Sequence, residues 1–234
     1  MPEIHQFHTL MNTAPSRGES RGEDGARHLS GRAYDRLLEM ILDGSLGAGT
    51  LLQEQALAHH LNISRTPVRE ALVRLETEGL VTRHAGRVLV VREVPVKEFM
   101  EILRVRSVLE TEAVGLACER IPAATLRELR ERFESLLTSA MPDADVQMKA
   151  DDELHGTIVD ACENAVLADL VRGLRRRTQL LNLKSLPDRF APGCREHLEI
   201  IAALERRDKE GARLALTVHL ENVRQCVLRK LGAI

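Results

Sequence analysis

The chain has 234 residues, 44% of them hydrophobic and 29% charged, with a formal net charge of −2 at pH 7. That length fits one large domain or two small ones, and the near-neutral balance excludes a uniformly basic coat while leaving room for a local basic patch. Aromatic residues make up only 2% and Trp is absent, so the core must be aliphatic, as in packed amphipathic helices.

Residues 1–29 include NTAPSRGESRGEDGAR, polar and rich in Gly, Ser, Arg and Glu, which reads as a disordered tail. From Gly31, Tyr34, Leu37, Leu38 and Ile41 recur at helical spacing until Asp43-Gly44. A second helix is expected at about Gln53–His60, burying Ala56, Leu57 and Leu61. A third follows Asn62-Ile63 and stops at Glu78-Gly79. Leu80–Thr82 and Val88–Val91 are apolar and β-rich, and Arg83 to Arg87 lie between them. That predicts a hairpin with a basic tip.

After Pro95 six helices are expected, at about 96–120, 123–139, 143–163, 165–184, 191–206 and 209–231, with Pro122, Pro142, Pro187 and Pro192 near their starts or breaks. No strand pattern interrupts them. The fold class is therefore mainly α: a winged helix-turn-helix unit over 30–92, a linker over 93–96 and an all-helical six-helix bundle over 97–232.

Three short helices and a hairpin form the arrangement that lays its third helix in the DNA major groove. This explains LNISRTPVREAL, which sets Arg65 and Arg69 at a helix start, where the dipole disfavours cations. An anion or a guanine edge would hold them there. Ser64 or Thr66 can cap this helix, and Pro67 is tolerated in its first turn. Residues 61–92 carry six arginines against three glutamates, a local excess of positive charge in an acidic chain.

The bundle holds three histidines on the inward faces of three helices: His155, His197 and His219. His197 and His219 lie about equally far from the turn at Arg207-Asp208-Lys209. On an antiparallel pair they stand side by side. Asp151 precedes His155 by one turn and joins its face, and Asp152 is the alternative at three-residue spacing. Three imidazoles and one carboxylate suit a divalent transition metal, Zn²⁺ first, with Ni²⁺, Mn²⁺ or Fe²⁺ compatible. Cys194, three residues before His197, reads as simply buried. Arg172 and Arg175–Arg177 read as a solvated face, with a secondary ligand or dimer contact as the other reading.

The segment LLQEQALAHHLNISRTPVREALVRLETEGLV resembles the DNA-binding domain of the GntR family of bacterial regulators. The resemblance implies that Arg65, Thr66 and Arg69 touch DNA, together with Ser64 at the helix start and Gln55 from the preceding helix. Gly86 would reach the minor groove from the wing, flanked by His84 and Arg87. The wing reads HAGRVLVV where the family usually has Arg-Gly.

DDELHGTIVDACEN, EHLEIIAALERRDKEGARLALTVHLENV and RVRSVLETEAVGLA are similar to the FCD ligand-binding domain of the FadR subfamily, and the bundle's length and six helices resemble its shorter, VanR-like branch. They imply a metal at Asp151, His155, His197 and His219, an organic acid over it, Arg106 facing that pocket and Asn164 lining it. Leu154 stands where the family usually has an aromatic.

The expected protein is a cytoplasmic, ligand-responsive regulator, a repressor, binding an inverted-repeat operator in double-stranded DNA as a homodimer. No apolar run approaches the roughly 20 residues of a membrane span, and the N-terminus lacks the apolar core of a signal peptide. Cys118, Cys162, Cys194 and Cys226 form no CxxC pair, as suits reduced, buried thiols. Two alternatives stand beside this reading: a pure metal sensor, and a metalloenzyme fused to a DNA-binding head.

Overall fold

The computed structural model describes residues 19–139, 143–181 and 189–230. The first unit contains α1 (Glu19–Leu42), α2 (Glu54–Leu61), α3 (Arg65–Thr77), β1 (Val81–His84) and β2 (Val88–Val91). The second contains α4 (Val96–Ala117), α5 (Ala123–Thr138), α6 (Ala144–Ala161), α7 (Ala165–Gln179), α8 (Phe190–Glu205) and α9 (Lys209–Lys230). The expected breaks at Pro142 and Pro187, the tail before residue 19 and the helix ends beyond 181 and 230 lie outside the described residues.

The DNA-binding-type unit closes over an aliphatic core. Leu37 and Ile41 of α1 meet Val68, Leu72 and Leu75 of α3, with Leu57, Leu80, Val81 and Val91 around them. The strands pair antiparallel with Val81 opposite Val91 and His84 opposite Val88. Ala85 and Gly86 turn the tip with positive φ of 49° and 72°, the conformation that tight hairpins require.

Two sequence expectations shift here. Helix α1 begins at Glu19, eleven residues inside the segment read as disordered. Its apolar pattern starts only near Ala33, and extending an existing helix N-terminally needs no second nucleus and leaves no hydrophobic trace. In α2 the buried residues are Leu57 and Ala58, while Ala56 is exposed. A helix beginning at Glu54 turns positions 57, 58 and 61 toward α3 and rotates 56 outward.

The second unit buries Val114, Ile121, Phe133, Leu154, Ile158, Ile200, Leu204 and Leu216 in one core. Helices α4 and α9 run antiparallel: Phe99 at the start of α4 packs near Val227 at the end of α9, and Thr111 meets Thr217 at 3.3 Å. Asp143 caps α6 through Asp145 and Val146 N–H, and Asn164 caps α7 through Leu167 N–H. No helix among the described residues is long and apolar enough to cross a membrane.

Candidate metal and effector site, with the nucleic-acid face

Asp151 and His155 from α6, His197 from α8 and His219 from α9 converge. One ligand atom from each lies within 4.8 Å of the others. The His197 and His219 rings stand 4.5 Å apart, the side-by-side placement expected from the antiparallel pair. His155 lies 5.7 Å from the His197 ring and 5.6 Å from the His219 ring, centroid to centroid. All three imidazoles are buried.

Two carboxylates that the sequence does not single out orient these rings. His155 Nδ1 donates to Glu110 at 2.5 Å, and His219 Nδ1 donates to Glu196 at 2.9 Å. Each bond leaves Nε2 with its lone pair free for a cation, the usual support of a metal-bound histidine. His155 Nε2 is buried without a hydrogen-bond partner. His197 Nε2, although 3.0 Å from Asp151 Oδ1, also lacks one of acceptable geometry. Buried nitrogens left this way are costly unless something binds them. The donor set therefore fits a divalent transition ion.

The electrostatics keep the donors in their metal-binding forms. Burial opposes the Asp151 charge, yet Arg175 and the neighbouring histidines hold its carboxyl well below the usual range. Burial, reinforced by His197, pushes His219 down to about 3, so its imidazole is neutral. Burial likewise lowers His155, with Arg175 adding to the effect.

Asp151, rather than Asp152, belongs to the cluster. Asp152 is turned outward, where its Oδ1 takes Arg175 at 2.9 Å and Gln179 at 2.6 Å. Asp151→Asn should therefore lower metal affinity at least tenfold, and Asp152→Asn by much less. Elemental analysis after dialysis against a weak chelator separates the two, and equal losses would contradict the assignment.

A cavity of about 510 Å³ opens onto this cluster, with Asp151, His197 and His219 in its wall. Arg106, which the family resemblance sets facing the pocket, also lines it, donating to Glu110 at 2.7 Å and Thr178 at 2.8 Å. Phe190, Leu220 and Val223 form an apolar side. Asn164 does not line it. That side chain is exposed and engaged in capping α7, a role that Asn takes readily at a helix start.

The basic run on α7 also departs from a solvated face. Arg175 is buried, lines the cavity and donates to Asp151 at 2.5 Å. Arg176 pairs with Glu78 at 3.2 Å and Arg177 with Glu98. Helix α7 lies between the cavity and the N-terminal unit, so its polar faces are used on both sides. Arg189, outside the run, lines the cavity and pairs with Glu196. Cys194 is fully buried, and burial pushes its thiol up to about 11, the wrong direction for a thiolate ligand.

At the opposite end, Arg65 and Arg69 project from the start of α3, 60% and 57% exposed. Both reach Glu54 of α2, Arg65 at 3.2 Å and Arg69 at 2.8 Å. Gln55, Thr66, His84, Gly86 and Arg87 are exposed. Ser64 occupies the N-cap position of α3 without a side-chain cap bond, and Thr66 lies inside the helix. Arg74 lies over the Tyr34 ring at 3.6 Å and pairs with Glu78. Arg83 pairs with Glu76 and Arg92 with Glu98. These three arginines have structural partners within the chain.

A winged helix-turn-helix head with exposed arginines on its third helix, joined to a helical domain with a histidine-lined cavity, defines a DNA-binding regulator rather than an enzyme. The chain belongs to the gntR family of bacterial regulatory proteins: residues 29–91 match that family's model and residues 101–222 match the FCD domain. It is similar to the Nta operon transcriptional regulator of Aminobacter aminovorans, 30% identical over 173 residues covering 74% of this chain and 82% of that one. The Escherichia coli McbR/YncC structure aligns with a TM-score of 0.76 at 27% identity, covering 86% of this chain and 98% of that chain. The Zn²⁺-bound FCD domain of TM0439 shares the fold of the second unit, with a TM-score of 0.51 at 22% identity over 61% of this chain and 99% of that domain.

Proposed function

We propose that the protein is a cytoplasmic repressor that binds an inverted-repeat operator as a homodimer and is released by a small organic acid held at a metal site in the bundle. The observation that carries this reading is the cavity itself, which joins the Asp151, His155, His197 and His219 cluster to the Arg106 guanidinium. A Zn²⁺-bound relative with the same fold supports zinc as the resident ion. A divalent ion there would supply a Lewis-acidic position facing the cavity. Arg106 would orient the acid's carboxylate, and the apolar wall would accept its carbon skeleton.

On the DNA side, Arg65, Thr66 and Arg69 would meet the major groove, with Gln55 and Ser64 beside them. His84, Gly86 and Arg87 would follow from the wing. Helix α7 is the route between the two functions. Arg175 and Thr178 face the cavity, while Arg176 pairs with Glu78 next to α3. Leu180, just past the helix, packs against both the N-terminal core and the α4–α9 layer. An acid that re-pairs Arg175 would bias how α7 holds the head. By linkage, acid and DNA then oppose each other by the same coupling energy, typically about 1–3 kcal/mol.

The test is DNA binding by fluorescence anisotropy with metal-stripped, metal-loaded and metal-plus-acid protein at fixed salt. A carboxylic acid from a panel should weaken operator binding roughly 5- to 150-fold, only when metal is present. If metal alone sets the affinity and no acid moves it, the protein is a metal sensor instead. Arg69→Ala should weaken specific binding by about 1–3 kcal/mol, and an unchanged affinity would remove that residue from the contact set.

A further inference from the structure

Glu54 holds both arginines at the start of α3. It is the first residue of α2, where the helix dipole favours a carboxylate. Leu57, one turn further on, is buried in the core of the head together with Val68 and Leu72 of α3, which fixes the backbone beneath Glu54. Arg69 donates Nε–H to Glu54 Oε1 at 3.0 Å and Nη2–H to Oε2 at 2.8 Å, a fork-to-fork pair. Arg65 adds Nη2–H to Oε2 at 3.2 Å. The Glu54 side chain is 24% exposed, against 60% for Arg65 and 57% for Arg69, so it is the anchored end of both pairs.

Stability does not account for this arrangement. Ion pairs this open to water contribute little to folding, and a carboxylate on a DNA-binding face repels phosphate. What the pairing does is decide which donors stay free. A guanidinium carries five N–H groups in a rigid plane. Arg69 spends Nε–H and one Nη2–H on Glu54, along one edge of that plane. The Nη1 donors and the second Nη2–H remain at the outer end, the fork that matches guanine O6 and N7. Arg65 is held through a single nitrogen and keeps more of its donors. An untethered arginine beside a duplex settles as readily on the nearest phosphate, which carries no sequence information.

We propose that Glu54 is a positioning residue for base readout: it turns Arg69, and less rigidly Arg65, so that their free donors meet base edges rather than phosphates. The inference rests on the reading of the protein as an operator binder and gives a role to a residue outside its contact set. Glu70 supplies the contrast. It is equally acidic, exposed and adjacent to Arg69, yet it pairs with no arginine among the described residues.

The probe is the duplex that the full-length wild type selects from a random-sequence library, set against a scrambled duplex of the same length and composition. Fluorescence anisotropy at fixed salt gives the ratio of the two affinities. Glu54→Gln keeps the shape and offers one acceptor in place of two. Its ratio should fall about 5- to 150-fold, the worth of one bidentate base contact. Its affinity for the scrambled duplex should rise, because the freed arginines take phosphates. Glu70→Gln removes the same charge and should tighten both duplexes alike, leaving the ratio unchanged. Arg69→Ala should lower the ratio strongly in wild type and little in the Glu54→Gln background, because the two side chains act as one unit. Thermal midpoints of both glutamine variants should match wild type. An unchanged ratio in Glu54→Gln, or additive losses from Glu54→Gln and Arg69→Ala, overturns the positioning role and leaves operator binding intact. A lower ratio that comes with a lower midpoint also overturns it, because Glu54 is then a brace of the fold. A wild type that selects no sequence overturns the operator reading itself.

Discussion

Alanine at His197 or His219 should empty the metal site while leaving the bundle helical. Each substitution removes one of four convergent donors, while Asp151 keeps Arg175 and Glu196 keeps Arg189 as partners, so no buried charge is stranded. The loss in metal affinity should exceed the roughly 10- to 100-fold seen when only an orienting carboxylate is removed. The same site should also set thermal stability. An ion present at about 1,000 times its dissociation constant adds about 4 kcal/mol to folding, equivalent to a shift in Tm of roughly 10 °C for a chain of this size. Wild type should lose that increment on treatment with a strong chelator, and both variants should melt at the same temperature with and without it. Elemental analysis showing full occupancy in both variants would reject the site. A chelator-independent wild-type Tm together with bound metal would show that the ion contributes nothing to the fold.

Glu110→Ala should be the most damaging single change in the bundle. Glu110 is 1% exposed. It accepts from Arg106 and His155 and lies 3.8 Å from Arg175. Without it, two buried guanidiniums lose part of their compensation, and breaking a buried pair in this way costs about 3–5 kcal/mol. Glu110→Gln keeps the shape and one acceptor, and should cost about 1–3 kcal/mol. Urea midpoints with unchanged slopes would report both values. Two variants within about 0.5 kcal/mol of wild type, inside the ordinary range of surface substitutions, would contradict this account.

The pH dependence of the metal-stripped protein follows from the same residue. Burial works against the Glu110 charge, but Arg106 and His155 hold its carboxyl far below the ordinary value of 4.5. A depressed folded value means that the stabilisation is complete above the unfolded value and is lost as pH falls beneath it. Wild type should therefore lose up to about 1.4 kcal/mol per pH unit from this group below pH 4.5. Glu110→Gln should lack that component, and parallel acid limbs in the two proteins would argue against it.

Local pattern alone located most of this molecule. Alternating and three-to-four-residue apolar spacing placed α2 through α9 and the hairpin within a few residues, because buried faces must repeat with the backbone period. The four donors could be picked out for the same reason: Asp151 and His155 are one turn apart, and His197 and His219 flank a turn symmetrically. What the pattern could not reach were partners brought together from distant segments. Glu110 lies 45 residues from His155, and Glu196 faces His219 rather than the adjacent His197. Arg175 looks like one of several solvated cations until α6 and α7 pack and enclose it. Asn164 sat beside the right segment, yet chain geometry gave it to a helix end instead of the cavity. One-dimensional periodicity records which side of a helix is dry. Which charge answers which across the interior is settled only when the helices dock, since that pairing depends on distances in space that no spacing along the chain encodes.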